Sequence, residues 1–136
     1  MIVADTNILS TFARVGEVAL LRQLCKSDRL HVTPATFNEL RRAVDVGCEF
    51  LRPTLQAIQS GTGLDLVELR REEVLALNDL PRSLGAGEAE SIAVCLRRAG
   101  TRLLTNDERA RTFAASTRFP AWTFPPSFAD CGFGKS

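Results

Sequence analysis

The feature that most constrains the fold of this chain is an unbroken apolar stretch, residues 2–4, that ends at an acidic residue, Asp5. Apolar residues without polar alternation are typical of a strand that is buried on both faces of a parallel sheet. A second such stretch, residues 103–105, is followed closely by Asp107. Because the carboxyl ends of parallel strands meet at one edge of the sheet, both acids are expected at that edge.

Strand and helix patterns alternate along the rest of the chain. Hydrophobic spacing predicts strands at 2–4, 31–33, 64–69 and 102–105, with a short edge strand within 119–126. It predicts helices at about 8–12, 17–26, 35–48, 53–59, 71–77, 88–99 and 107–116. Pro34 suits the first turn of the third of these helices, with Thr33 as its N-cap. This order indicates an α/β fold, an α/β/α sandwich around a central, mostly parallel sheet of four to five strands.

Length and composition indicate one globular domain. We expect it to span residues 1–124, with an irregular C-terminal tail at 125–136. No apolar run approaches the roughly 20 residues that cross a bilayer, and no basic leader precedes the first strand, so a cytoplasmic protein is expected. The four cysteines are far apart and His31 is the only histidine, which argues against a zinc site.

Acidic residues recur where strands end and helices begin. The positions that share this placement are Asp5, Glu39, Glu88, Glu90 and Asp107. Carboxylates gathered at one edge repel one another, and their natural counter-charge is a hard divalent cation, Mg²⁺ or Mn²⁺. Each acid also has a purely structural interpretation, as a helix cap, as a dipole-stabilising residue in a first turn, or as a solvated helix residue.

Basic residues are almost all arginine, 15 of 17, although the net charge is only +1. Arginine binds phosphate oxygens in a bidentate manner. Arg14, Arg109 and Arg111 are therefore candidate RNA-binding residues beside the acidic centre. The alternative is that these side chains only form solvated helix faces.

Four ordered blocks give the chain a resemblance to PIN-domain ribonucleases, in particular to the prokaryotic branch with VapC-like toxins. The blocks are Val-Ala-Asp-Thr-Asn at 3–7, Thr-Pro-Ala-Thr-Phe-Asn-Glu-Leu at 33–40, Leu-Gly-Ala-Gly-Glu-Ala-Glu-Ser-Ile-Ala at 84–93, and Leu-Leu-Thr-Asn-Asp at 103–107. A single Asp-Thr-Asn sequence would be weak evidence for the family, whereas four blocks in the family's order are specific evidence. The resemblance implies a PIN-like nuclease domain over residues 1–124.

The resemblance also implies roles for individual residues. Asp5, Glu39 and Asp107 match the catalytic carboxylates of the family. The fourth acid stays open between Glu88 and Glu90, because residues two apart on a helix point about 200° apart and cannot both face the site. We favour Glu88, which is nearer the helix start, as a metal ligand with Asp5 and Asp107.

Supporting positions and partners follow from the same resemblance. The residues that resemble polar supports of the site are Thr6, Asn7, Thr105 and Asn106. The implied activity is Mg²⁺- or Mn²⁺-dependent hydrolysis of RNA by an endonuclease, with Glu39 either supporting the metal ligands or orienting the attacking water. A type II toxin would in addition imply a small antitoxin partner and a homodimer. The RNA target and the number of metal ions stay open.

Two other classes of protein are compatible with acids at strand ends. A receiver-like regulatory module binds Mg²⁺ without cutting anything, but it needs a lysine opposite its central acid. The only lysines, Lys26 and Lys135, do not follow predicted strands. A catalytically silent PIN-like protein that acts by protein contact is the remaining alternative, and an activity test separates it from a nuclease.

Overall fold

The computed structural model describes residues 1–105 and the backbone of residues 121–123. The strands are β1 (Ile2–Ala4), β2 (Leu30–Val32), β3 (Leu64–Leu66), β4 (Arg102–Thr105) and β5 (Ala121–Thr123). The α-helices are α1 (Thr6–Arg14), α2 (Val18–Leu24), α3 (Pro34–Asp45), α4 (Arg52–Ser60), α5 (Arg71–Ala76) and α6 (Ala86–Arg97). Short 3₁₀ turns lie at Glu49–Leu51 and Leu77–Asp79.

The five strands form one sheet in the order β3-β2-β1-β4-β5, and each neighbouring pair is parallel. Strand β1 therefore lies in the middle, as its unbroken apolar sequence predicts. Ala4 pairs with Leu104, and the N–H of Asp5 donates to the carbonyl of Leu104 over 3.2 Å. This register places the carboxyl ends of β1 and β4 side by side at one edge of the sheet.

Helices cover both faces of the sheet. One face of the two central strands carries Ala4 and Leu104, which pack in a core cluster with buried residues of α1, α3 and α4. The opposite face carries Val3 and Leu103, which pack in clusters that include buried residues of α6. Successive strand residues point to opposite faces, so each central strand contributes to both core layers. The predicted α/β/α sandwich is confirmed.

Local chemistry explains where α3 begins. Thr33 has an extended backbone and its hydroxyl accepts from the N–H of Thr36 over 3.3 Å, so it is the N-cap. Pro34 occupies the first helical position, where its missing N–H costs nothing. This helix start was predicted from the sequence and is confirmed.

Several predicted boundaries differ from the observed ones. Helix α6 begins at Ala86, two residues before its predicted start, so Glu90 lies in the second turn and not in the first. The third strand was predicted to run to residue 69 but ends at Leu66. It pairs only with the three-residue strand β2, whose chain turns into α3 directly afterwards, so the ladder ends with the bond from the N–H of Val67 to the carbonyl of Val32.

The predictions for the end of the chain have mixed outcomes. The edge strand expected within 119–126 is present as β5, which pairs with β4. The predicted helix at 107–116 and the tail at 125–136 lie outside the described residues, so these stay predictions. In the part that the structure describes, no helix has the length and apolar character needed to cross a membrane.

Candidate active site

Asp5 is fully buried at the point where β1 turns into α1. Its Oδ1 accepts from the N–H of Ile8 over 2.9 Å, which makes it the N-cap of α1. Its Oδ2 accepts from the hydroxyl of Thr105 at the end of β4. The cap interpretation of Asp5 is thus correct, and the same two donors hold the carboxylate at the edge of the sheet in one orientation.

Glu39 connects α3 to the starts of α1 and α6. It lies in the second turn of α3 and is half-buried. Its Oε1 accepts from the hydroxyl of Thr6, the first residue of α1, and its Oε2 accepts from the N–H of Gly87 in the first turn of α6 over 3.3 Å. One carboxylate therefore connects α3, which follows β2, with α1, which follows β1, and with α6, which follows a loop.

Glu88 is the third residue of α6 and is buried except for 8% of its surface. Its Oε1 accepts from the N–H of Gly85, the N-cap residue, over 3.3 Å, which is one half of a capping box. A β-carbon on Gly85 would lie 3.4 Å from this oxygen and 3.8 Å from Oε2 of Glu39. The carboxylates of Glu39 and Glu88 are therefore close neighbours.

Glu90 makes a different contact. Its Oε1 accepts from the N–H of Ala35 in the first turn of α3 over 2.8 Å. The first N–H groups of a helix have no acceptor within the helix, so Glu90 supplies one and also complements the positive end of the α3 dipole. The two acids that the sequence left as alternatives thus have different surroundings, since Glu88 neighbours Glu39 and Glu90 anchors α3.

Two residues at this site were missed by sequence reasoning. A β-carbon on Gly87 would lie 2.5 Å from Oε1 of Glu39 and 2.7 Å from Oγ1 of Thr36, and Thr36 itself is fully buried. A glycine inside the first turn of a helix is a recognisable signal, because glycine is unfavourable there unless space is short. Thr36 also lies three residues before Glu39, on the same face of α3.

The remaining predicted site residues are not all gathered here. Asn7 is exposed in the first turn of α1. Arg14 is the last residue of α1, about 12 Å along the helix from Thr6, and its guanidinium lies over the ring of Phe50 at 4.7 Å. The predicted residues Asn106, Asp107, Arg109 and Arg111 lie outside the described part of the chain.

The donor set has the chemistry of a hard-cation site. Asp5, Glu39 and Glu88 offer only carboxylate oxygens, the ligands that Mg²⁺ and Mn²⁺ prefer. Within residues 1–105, no three His, Cys, Asp or Glu side chains approach closely enough to hold a metal ion by themselves. The fourth expected acid, Asp107, is two residues beyond Thr105 and is not among the residues described.

Other charged residues have structural roles away from these acids. Glu73 of α5 is fully buried and receives two hydrogen bonds from the guanidinium of Arg98, at 2.7 and 2.8 Å. Burial acts to raise the pKa of Glu73, but the bonds from Arg98 and from the N–H of Arg70 outweigh it and lower the pKa. This pair fastens α5 to the C-terminal end of α6.

Comparison with known proteins agrees with this geometry. The family model DUF3368, which is described as a PIN domain, matches residues 1–122 of the 136. The chain therefore belongs to the PIN-domain family. Members of that family are generally nucleases, which assigns this chain a nuclease-type hydrolase function at the coarse level.

A local match connects the chain to one curated enzyme. It is similar to hydroxydechloroatrazine ethylaminohydrolase from Pseudomonas sp. (strain ADP), with 39% identity over 85 residues. The match covers 60% of this chain and 18% of that enzyme. A similarity limited to such a small part of the enzyme does not carry its activity to this chain.

Proposed function

We propose that the protein is an endoribonuclease that depends on Mg²⁺ or Mn²⁺. The observation that carries the proposal is that Asp5, Glu39 and Glu88 accept hydrogen bonds from the starts of α1 and α6 at the carboxyl edge of the sheet. This edge is where open α/β sheets bind their ligands. Membership of the PIN-domain family supports the same reaction class.

The metal-binding residues in this proposal are Asp5, Glu88 and Asp107. Asp5 is held by donors from α1 and β4, so it can bind a cation without first losing side-chain freedom. A bound divalent cation would supply a Lewis acid that activates water and offsets the charge that develops on the scissile phosphate. All the proposed ligands are carboxylates, which fits a hard cation.

Glu39 has a separate part in the proposed reaction. Both of its oxygens accept hydrogen bonds from the protein, from Thr6 and from Gly87. A carboxylate fixed in this way is suited to orient the attacking water by accepting a hydrogen bond from it. Hydrolysis would proceed in line, without a covalent enzyme intermediate.

RNA is the proposed substrate, and Arg109 and Arg111 are the proposed phosphate-binding residues. The metal-free mechanism in which two histidines act as general base and general acid is ruled out, because His31 is the only histidine in the sequence. Its ring lies beside Asp65, with Nε2 and Oδ2 4.0 Å apart, on strands β2 and β3. We do not include Arg14 in the proposed substrate site because it lies at the far end of α1.

We further propose that the protein is the toxin of a type II toxin-antitoxin module and acts in the cytoplasm as a homodimer. The Gly-Glu-Ala-Glu sequence at residues 87–90, which resembles VapC-like toxins, supports this branch. A small antitoxin protein would then bind and inhibit the enzyme. Co-expression with the product of the adjacent reading frame, followed by co-purification, tests this part separately from the chemistry.

The nuclease proposal is tested by incubating the purified protein with mixed single-stranded RNA in Mg²⁺, in Mn²⁺ or in EDTA. Asp5→Asn is the diagnostic variant, because Asn is as good an N-cap as Asp and the helix start is retained. Asp65→Asn is the matched control. Asp65 lies on the edge strand β3 and forms an ion pair with Arg29, and it is not one of the proposed site residues.

Metal-dependent cleavage that survives in Asp65→Asn and falls about 100-fold or more in Asp5→Asn supports the proposal. A folded wild-type protein that neither binds Mn²⁺ nor cleaves RNA contradicts it. That result would favour a PIN-like protein that acts through protein contacts.

A further inference from the structure

Gly87 occupies a position where its backbone does not require glycine. It is the second residue of α6 and is not among the glycines with positive φ. An alanine there would adopt the same backbone and would favour the helix by roughly 0.5–1 kcal/mol. The reason for a glycine must therefore lie in the surroundings of the residue.

Those surroundings leave no room for a methyl group. A β-carbon would lie 2.5 Å from Oε1 of Glu39, 2.7 Å from Oγ1 of Thr36 and 2.8 Å from Oγ1 of Thr6. All three distances are below those that real β-carbons show, so at least one of these groups would have to move. The three oxygens come from α1 and α3, and both helices begin at the carboxyl edge of the sheet.

Gly87 also contributes a hydrogen bond. Its N–H donates to Oε2 of Glu39 over 3.3 Å, and the hydroxyl of Thr6 donates to Oε1. The first N–H groups of a helix have no acceptor inside the helix, so Glu39 satisfies a donor that the fold leaves open. The close approach and the hydrogen bond thus depend on the same missing side chain.

We infer that Gly87 is a positioning residue that seats the carboxylate of Glu39 against the start of α6. Oγ1 of Thr36 bounds the same space beside Gly87, and the hydroxyl of Thr6 donates to Oε1 of Glu39. The inference rests on the proposed function only for its consequence, namely that the position of Glu39 sets the rate of RNA hydrolysis. A displacement of about 1 Å in a reacting group can cost on the order of 100-fold in rate.

Gly85 provides a matched control in the same turn. A β-carbon there would meet Glu88 at 3.4 Å and Glu39 at 3.8 Å, which are ordinary contact distances. Gly85 is the N-cap, where alanine is worse than glycine, whereas alanine at position 87 is better for the helix. If the glycines served only the helix, Gly85→Ala would be the more harmful change. If Gly87 seats Glu39, Gly87→Ala is the harmful one.

The activity test compares the two variants with the wild-type protein in the metal-dependent RNA cleavage assay. We expect Gly87→Ala to lower kcat about 10- to 100-fold with little change in KM, and Gly85→Ala to lower kcat by a clearly smaller factor. In a Glu39→Gln background, Gly87→Ala should add little further loss, because the residue through which it acts is already changed.

Equal activity of the two alanine variants overturns the inference. A decrease in kcat from Gly87→Ala that is equally large in the wild-type and in the Glu39→Gln background also overturns it.

Amide hydrogen exchange supplies a measurement that needs no nuclease activity and no variant at position 87. Glu39→Ala should speed exchange of the Gly87 N–H at least tenfold, since its acceptor is lost. The Ala89 N–H is the internal control, because it donates to the carbonyl of Gly85 over 2.9 Å. An unchanged exchange rate of the Gly87 N–H would overturn the inference that Gly87 positions the carboxylate of Glu39.

The two proposals fail separately. A folded wild-type protein that neither binds Mn²⁺ nor cleaves RNA, but whose Gly87 amide exchange depends on Glu39, contradicts the nuclease function and retains the positioning role of Gly87. Metal-dependent cleavage that Gly87→Ala leaves intact retains the nuclease function and removes the role of Gly87.

Discussion

The hydroxyl of Thr105, the last residue of β4, donates a hydrogen bond to the carboxylate of Asp5, which lies 100 residues earlier and follows β1. The bond exists because β1 and β4 are adjacent parallel strands with Ala4 opposite Leu104. Both residues are fully buried. Asp5, which is expected to bind a metal ion, is thus held by β4. The next expected acid, Asp107, follows β4 in the sequence.

Replacing Thr105 by valine should destabilise the protein and weaken the site together. Valine keeps the shape but removes the donor to a buried carboxylate, which costs about 1–3 kcal/mol in the free energy of unfolding. Urea unfolding measures this cost. Thr105→Ser retains the hydroxyl and should stay closer to the wild type. Equal stability of the valine and serine variants would show that the bond to Asp5 contributes little.

The two acids of α6 should respond differently to the same substitution. Glu88→Gln should abolish metal-dependent RNA cleavage, because it removes a proposed metal ligand. Glu90→Gln should retain most of the activity, since an amide oxygen can still accept from the N–H of Ala35. Measuring initial rates for both variants beside their melting temperatures decides the assignment, and the opposite ranking would make Glu90 the site acid.

Stability should fall in acid partly through Glu73. The pKa of this buried carboxyl is lowered from its ordinary value of 4.5, because the bonds from Arg98 and Arg70 outweigh the opposing effect of burial. A lowered folded-state pKa contributes stability above the unfolded pKa that is lost as the pH falls through the folded one.

Urea unfolding of the wild type and of Glu73→Gln between pH 7 and pH 3 tests this contribution. The stability advantage of the wild type should be largest near neutral pH and should shrink below about pH 4.5, the ordinary pKa. A difference that does not depend on pH would mean that Glu73 contributes by packing and not by charge.

The buried cysteines should be slow to react. Burial raises the pKa of Cys25 to about 11 and that of Cys95 to about 12, so the reactive thiolate is scarce at neutral pH. Cys48 is only partly buried. Treatment of the native protein with iodoacetamide at pH 8, followed by peptide mass spectrometry, should label Cys48 well before the other two. Prior labelling of Cys25 or Cys95 would mean that the helices open readily.

Some features were readable from the sequence because they depend on local chemistry. The bounds of β1 and β4 were predicted correctly, since an apolar run ended by a polar residue defines a strand that is buried on both faces. The start of α3 was predicted from Thr33 and Pro34, whose capping geometry involves only their own backbone neighbours. The alternation of such elements indicated the parallel sheet, and right-handed crossovers were the reason to expect the acids that follow its strands at one edge.

Tertiary structure decided how the acids are surrounded. The sequence left both Glu88 and Glu90 possible as the site acid and favoured Glu88 only because it is nearer the helix start. Only the packing of α6 against α3 sends one toward the start of α6 and the other toward the N–H of Ala35. The sequence likewise shows a glycine near the start of α6 but not what lies against it, because that contact forms where helices from distant parts of the chain approach each other. Local sequence chemistry sets the elements, whereas close approach between elements sets the orientation of each carboxylate.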